Sequence, residues 1–550
     1  MRGVYLQPLV ELYVAKDLKD STKYIITIGQ PTMNLARHFY LDAKSENLTR
    51  DYTELYVKLL RVLNPSTPLA TAQASAKRVI AFERKLANIT LTPGELADFG
   101  TIFKKFTIRD LHQRYTDFSW LDFIRASFSV AGVRHVNIEE DKVVALTAVS
   151  YFDNLFPLLK ETGLSIIQEY CGWTAIYAFS PLLSRRPAGL VQAFQAKKSG
   201  GSPGFERFPT CIDATTSLLP HSLGRMYYTS KFSAKSRVAV KSMIERIVHA
   251  FKEILLAKTW ISDKTKAKAI EKIRKLNIQA GSPAKYRNDT ALNEIYRGVN
   301  ITTDDFFHSY LAILGRADFN MMSKLRKPTD DADWPYSAAT VNAFYSPSAA
   351  SIIIPAGIIQ PPKFTMSASA AINYGALGFI VGHELTHGFD ADGRRYDADG
   401  NLKQWWDDPD ILAFEARAKC LVHQYGRYKD KELNMYINGN QTLDENIADN
   451  GGIAAAYSAF RKLLKDSPGQ AKHLPGLWSM SQDQIFFLSF AQLWCNTDNA
   501  KIRYCRLHTD VHSQPRYRVT GTLQNNKDFA RAFNCPSGSY MNPRDKCVVW

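Results

Sequence analysis

The sequence predicts a mainly α-helical protein of two lobes, with one small β-sheet set among the helices. Three observations predict it. The chain has 550 residues, more than a single core ordinarily serves, so two lobes or more are expected. Across residues 1–300 apolar side chains recur at three- and four-residue intervals, the spacing of one helix face. After Pro328–Pro335 the pattern shifts to two short β-branched or aromatic runs bounded by turn formers, and then helical spacing resumes from Ser369. Apolar content of 45% and charged content of 22% are globular values, which exclude a mostly disordered or fibrous chain.

Early helices are expected around Leu55–Val62, Thr71–Ala87 and Ile138–Thr162. Between Ser236 and Trp260, the residues Val240, Ile244, Ile247, Val248, Phe251, Ile254 and Leu255 form one apolar stripe. Ser262 then caps a second helix running to Leu276. This helix carries Lys264, Lys266, Lys268, Lys272, Arg274 and Lys275, the densest basic run, read as a solvated face. Ser199–Gly204, including Pro203, reads as a flexible loop within the helical region. Thr340–Tyr345 and Ser351–Pro355 read as two strands of a hairpin, with Pro355 marking an edge or an exit.

Lys and Arg number 69 against 53 Asp and Glu, a net charge of +16. This basic balance is spread along the chain, so a nucleic-acid partner is not expected. No run approaches the ~18 apolar residues of a membrane helix. The stretch Met1–Pro8 lacks the apolar segment of a signal peptide, which alone points to the cytosol. Five Asn-x-Ser/Thr sequons, at Asn47, Asn88, Asn288, Asn300 and Asn440, point instead to a secreted chain. Of seven cysteines, four fall in the last sixty residues and none before Cys171, and the odd count leaves at least one without an internal partner.

The sharpest chemical signal is His383-Glu384-Leu385-Thr386-His387. Residues four apart share a helix face, so His383 and His387 can present imidazole nitrogens to one ion. Glu384, turned about a hundred degrees away, reaches a water on the metal rather than the metal. Two imidazoles, a third protein ligand and an open position suit catalytic Zn²⁺. Glu445 is the candidate third ligand. It is co-facial with Asp449, and one of the two can bind metal while the other accepts the second N–H of a ligating histidine. Thr442-x-x-Glu445 also fits a capping box, a rival reading of Glu445. In Asp510-Val511-His512-Ser513, with Arg518 nearby, His512 and the guanidinium are fixed donors for a developing oxyanion, and Asp510 can orient His512. The other histidines, His423 and His473 among them, are read as ordinary surface or core residues. The expected reaction is hydrolysis, with Glu384 moving the proton of the attacking water to the leaving amine. The strand Asn342–Tyr345 offers an edge for an extended peptide, and the Asn342 amide can clasp its backbone.

Five collinear blocks carry a resemblance: Val341–Tyr345, Pro355–Pro362, Gly382–Asp390, Glu445–Gly452, and Asp510–Ser513 with Arg518, followed by the terminal Cys547-Val548-Val549-Trp550. The chain resembles the neprilysin and endothelin-converting-enzyme family of zinc metalloendopeptidases. The resemblance implies a thermolysin-like catalytic lobe over residues 306–550 and a helical second lobe over residues 1–305, enclosing a cavity that admits oligopeptides. It implies one Zn²⁺ per chain on His383, His387 and Glu445, Glu384 as catalytic carboxylate, His512 as transition-state donor and Asp449 behind the ligands. Arg518, Asn342 and the backbone of Ala343 would bind substrate. Ile358, Phe379, Ile380 and Trp494 would line a hydrophobic pocket, giving cleavage on the amino side of hydrophobic residues. A Cys420–Cys547 bond is implied too.

Members of the family carry an N-terminal membrane anchor and early cysteines. Cys211, Cys495 and Cys535 match cysteines whose partners lie in that region, so the chain is read as an N-terminally truncated member, extracellular or at the cell surface, touching a membrane only through such an anchor. Cys171 and Cys505 are left to pair with each other. Lys363 stands where the family usually has an aromatic residue. The alternatives are a catalytically impaired homologue or fragment that binds peptides, and a non-enzymatic protein with a structural zinc.

Overall fold

The computed structural model describes residues 5–550 apart from 135, 203, 205, 331, 472 and 473. Pro203 of the expected loop, His473 and the first four residues of Met1–Pro8 lie outside the described residues. The chain is mainly helical with small sheets, as its apolar spacing predicts.

Helices cover Glu46–Leu63 and Leu69–Ile89, where two of the early helices are expected. The stripe around Val240 becomes the helix Ala234–Leu256, which buries Val240, Met243, Ile244, Ile247, Ala250, Phe251 and Leu255. Ser262 accepts a hydrogen bond from Thr265 N and starts the helix Asp263–Lys275. Lys272 of that helix departs from the solvated-face reading. It is 1% exposed, and its ammonium donates to the carbonyls of Gly388, Gly393 and Tyr396, each at 2.7 Å. Three acceptors match the three N–H donors of an ammonium, which is how a buried lysine is tolerated.

Three sheets are present among the described residues where one was expected. The first joins β1 (Glu11–Asp17), β2 (Asp20–Gly29), β3 (Lys104–Thr107) and β4 (Val143–Leu146) in the order β1-β2-β4-β3. The pair β1/β2 is an antiparallel hairpin, while β2/β4 is parallel. The core of β2, Ile25-Ile26-Thr27-Ile28, is β-branched and stiff at χ1, which favours a strand. The single helix expected over Ile138–Thr162 is therefore corrected: β4 precedes a helix at Val149–Glu161, and Ala148 with φ 59° separates them. The second sheet has the order β5-β7-β6, with β5 Asn277–Gly281, β6 Phe344–Ser346 and β7 Ser351–Pro355. The hairpin β6/β7 matches expectation, but its first strand begins at Phe344, leaving Asn342 and Ala343 just ahead of it. The third sheet is a two-residue pair, Lys429–Asp430 with Met435–Tyr436.

Two buried clusters form the cores. One draws on residues from Val10 to Phe194 together with Met322 and Leu325; the other draws on residues from Tyr228 to Trp550. The groups meet beside the cleft. The β1/β2 turn docks on the loop that follows His387: Ser21 N donates to Asn401 Oδ1 at 2.7 Å, Ser21 Oγ to the Asp399 carbonyl at 2.6 Å, and Lys19 Nζ to the Leu402 carbonyl at 3.1 Å. Arg395 of the same loop pairs with Asp98. Elsewhere Tyr504 donates to Asp42 Oδ2 at 2.5 Å.

Cys420 is bonded to Cys547, closing a sequence separation of 127 residues. Cys171 and Cys505 are both free, which corrects their expected pairing; each is half-buried against the first core, and burial pushes both thiols up. Cys211, Cys495 and Cys535 are also free. Among the described residues no helix is long and apolar enough to cross a membrane.

Candidate active site

The helix Phe379–His387 carries the His-Glu-x-x-His motif and is entered through a π-helical turn, Tyr374–Gly378. It packs along the long helix Leu443–Asp466, which carries Glu445 and Asp449. Glycines set the spacing. A Cβ on Gly382 would lie 2.6 Å from the Gly452 carbonyl oxygen, and one on Gly452 would lie 2.7 Å from His383 N. Gly451 leaves room for the Thr386 side chain in the same way. Only glycine permits backbones this close, and the approach brings Glu445 up to both histidines.

His383 Nε2 and His387 Nε2 stand 3.0 Å apart. Glu445 Oε2 is 3.1 Å from His383 Nε2, and Oε1 is 3.7 Å from His387 Nε2. The three ligand atoms lie within 4.8 Å of one another. The outer nitrogens face carboxylates. His387 Nδ1 is 2.7 Å from Asp390 Oδ2, and His383 Nδ1 is 3.0 Å from Asp449 Oδ1, close though off the line of a good hydrogen bond. The tautomers protonated on Nδ1, toward these carboxylates, turn both Nε2 lone pairs toward the Glu445 carboxylate, the arrangement that a bound cation requires. Glu445 Oε2 is likewise buried without an aligned hydrogen bond. Such a donor set is satisfied by a cation, and two imidazoles with one carboxylate match the ligand chemistry of Zn²⁺. Thr442 makes no side-chain cap bond; its hydroxyl donates to the Asn438 carbonyl and accepts from Asn446, so the geometry does not use Glu445 as a cap.

Electrostatics follow from this packing. Burial raises the Glu384 carboxyl, against the pull of His383 and His387. Burial would also raise Glu445, but His387, His383 and His512 outweigh it and hold the carboxyl well below the usual range. Arg518 and His383 likewise overcome burial to lower Asp449. Burial depresses His512, yet its hydrogen bond to Asp510 and the adjacent Glu445 carboxylate lift it to about 9.

His512 reaches the cluster from the loop ahead of the helix Pro515–Asn525. Its Nε2 is 3.1 Å from Glu445 Oε2 and its Nδ1 is 2.7 Å from Asp510 Oδ1, whose carboxylate also accepts from His512 N at 2.9 Å. Ser513 Oγ donates to Asn446 Oδ1 at 2.8 Å and pins this loop to the Glu445 helix. Arg518 is 6% exposed and grips Asp449 with two bonds of 2.8 and 2.6 Å, while its guanidinium lies 3.9 Å over the Trp494 ring. Its Nε and Nη2 face Asp449, and the side chain also lines the cleft.

A cleft of about 510 Å³ opens over the cluster. Its lining includes Asn342 and Ala343, just ahead of the edge strand β6, and Ile358, Phe379, Ile380 and Trp494. A neighbouring cavity of about 210 Å³ shares Asn342, Trp494, His512 and Arg518. All the residues expected at the site are therefore brought together. Asp390 and Lys272 were missed. Asp390 sits one helical turn beyond His387, a spacing that could have flagged it. Lys272 lies over a hundred residues upstream and carries no local signal.

Two models described as peptidase family M13 match residues 342–549 and residues 1–283. Neprilysin of Pongo abelii is 34% identical over 556 residues, spanning 98% of this chain and 74% of that protein. The crystal structure of the Mycobacterium tuberculosis zinc metalloprotease Zmp1 in complex with an inhibitor is 25% identical and superposes with a TM-score of 0.90, covering 100% of this chain and 81% of that one. The same enzyme in an open state superposes with a TM-score of 0.69 over 100% of this chain and 83% of that one.

Proposed function

The chain belongs to peptidase family M13 and is a zinc metalloendopeptidase acting on peptides, and from that premise we propose how its own residues divide the work. One zinc ion per chain is held by His383 Nε2, His387 Nε2 and the Glu445 carboxylate. When bound, zinc supplies Lewis acidity and lowers the pKa of a water. Asp390 and Asp449 keep the protons of the two imidazoles on Nδ1, so that both Nε2 atoms face inward. Arg518 holds Asp449 in place and so acts on His383 at one remove.

Glu384 lies on the same helix but on the cleft side, buried and beside the ligand cluster. It is the general base: its carboxylate takes a proton from the attacking water and returns it to the leaving nitrogen. His512, steadied by Asp510, donates its Nε2–H to the oxygen that gains negative charge. An extended peptide pairs with the free edge of β6, with the Asn342 amide and the Ala343 backbone holding its main chain. Ile358, Phe379, Ile380 and Trp494 receive the side chain after the scissile bond, which gives cleavage on the amino side of hydrophobic residues.

The lobes are proposed at residues 1–305 and 306–550, with two exchanges. Tyr228–Ile273 packs into the core of the catalytic lobe, and Met322 and Leu325 pack into the other. An extracellular or cell-surface setting is supported by the exposure of all five sequon asparagines. The observation that carries the proposal is the pair of imidazole Nε2 atoms 3.0 Å apart, closed by Glu445. A peptide binder without catalysis has no use for a buried Glu384 beside that set. Replacing Glu384 with Gln tests the reading: zinc content, measured by mass spectrometry, should match wild type while peptide cleavage falls by several orders of magnitude. Cleavage near the wild-type rate would place the base elsewhere.

A further inference from the structure

The cleft holds an unspent hydrogen-bond donor among its apolar lining residues. Lys363 lines it with Ile358, Phe379, Ile380 and Trp494. Its backbone is fixed: its N–H donates to the Gln360 carbonyl at 2.9 Å, its own carbonyl accepts from Leu377 N at 3.2 Å, and neighbouring Ile359 and Phe364 are buried. The ammonium is therefore presented from a rigid base. Yet among the described residues no carboxylate pairs with it and no side-chain hydrogen bond uses it. The other cation of the cleft, Arg518, is neutralised by Asp449. Of the acidic groups of the cleft, Glu445 faces the histidines, and Asp390 faces His387 and accepts from Gly393 N.

We propose that Lys363 makes this enzyme accept, in the pocket it otherwise reserves for hydrophobic side chains, a substrate residue bearing a carboxylate at its end. The stem of such a residue packs on Phe379 and Ile380. Its carboxylate meets the Lys363 ammonium. A charge met by an unpaired ammonium at the edge of an apolar pocket keeps part of the hydration it would otherwise lose, so the usual penalty for placing a carboxylate there is offset. The inference rests on the reading of these residues as the side-chain pocket. The carboxylate has two sources, an acidic side chain or the free end of a short peptide, and these are separable.

The test uses zinc-loaded enzyme and internally quenched peptides, blocked at both ends, that differ only in Glu or Gln after the scissile bond. A second pair carries Leu there, with the C-terminus free or amidated. The readout is the ratio of kcat/KM for Glu over Gln in wild type, Lys363→Met and Lys363→Glu. Lys363→Met should lower the ratio about three- to tenfold, the range of a half-buried charge contact. Lys363→Glu should lower it further, and raising the salt should shrink the wild-type ratio. If Lys363→Met instead lowers only the free-acid over amide ratio, the carboxylate is the terminal one and the proposal stands with that source. If neither ratio moves at low salt, it is overturned. Failure of every peptide to be cleaved would instead refute the peptidase reading. Binding of labelled Glu and Gln peptides to the Glu384→Gln variant, followed by anisotropy with and without Lys363, still decides the role of Lys363 in that event.

Discussion

Replacing Gly452 with Ala should loosen the metal site without touching any ligand. The new Cβ would stand 2.7 Å from His383 N and 2.9 Å from His383 Cα. Ordinary contacts between such atoms lie near ~3.5 Å, so the two helices must part by roughly 0.7 Å. Both partners are backbone in packed helices, so no flexible side chain can absorb the strain. Overpacking of this kind costs about 1–3 kcal/mol. The larger consequence is at the site, because Glu445 rides on one helix and both histidines on the other. Ligand distances tolerate only ~0.2 Å, so zinc affinity should fall about tenfold or more. The assay is competition with a fluorescent chelator, together with melting curves of zinc-loaded and zinc-free protein. The gap between the two curves reports the same loss, since ligand stabilisation follows affinity. Gly469→Ala is the control, since nothing lies within 4 Å of its added Cβ. Zinc affinity within twofold of wild type in Gly452→Ala would refute the close-approach argument.

Two further outcomes follow from buried charge. Glu83 is 0% exposed; it accepts from Asn34 at 2.8 Å and Tyr52 at 3.3 Å through one oxygen, and its other oxygen has no partner. Burial raises its pKa from 4.5 to about 8, against the hydrogen bonds of Asn34, Tyr40 and Tyr52. The folded state thus keeps a proton that the unfolded chain releases, and stability falls as pH rises from about 4.5 through 8. The full shift corresponds to roughly 5 kcal/mol. Denaturant unfolding of wild type and Glu83→Gln at pH 5 and pH 8.5 should show a stability difference that grows with pH in favour of the variant, and parallel pH profiles would contradict the assignment. Lys272→Met should remove three hydrogen bonds from the loop that carries Asp390 and leave the Gly388 carbonyl without a donor, while the Gly393 and Tyr396 carbonyls keep Tyr396 N and Trp405 Nε1, lowering stability by about 1–3 kcal/mol; hydrogen exchange should rise in residues 388–396 first, and unchanged protection there would show that the lysine does not hold the loop.

The parts of this molecule legible in the sequence are those whose meaning is local. His383, Glu384 and His387 could be read because one helical turn fixes their relation, and Asp449 because it shares a face with Glu445. What stayed hidden needed a second segment. The strand β2 is a short apolar run that periodicity cannot tell from a helix, and it is fixed by pairing along its length with β1 and, at Thr27 and Ile28, with β4, more than a hundred residues away. Lys272 sits in a run of charges that reads as solvated, because only the folded loop after His387 surrounds it with carbonyls. Cys171 and Cys505 looked like a pair by elimination, but a disulfide requires Cβ atoms brought face to face, which a count cannot supply. Gly382, Gly451 and Gly452 show the opposite case. By propensity each weakens its helix by ~1 kcal/mol, so a local rule scores them as defects. They are tolerated because two helices must nearly touch for one carboxylate to meet two imidazoles, and a local cost at such a place marks the function.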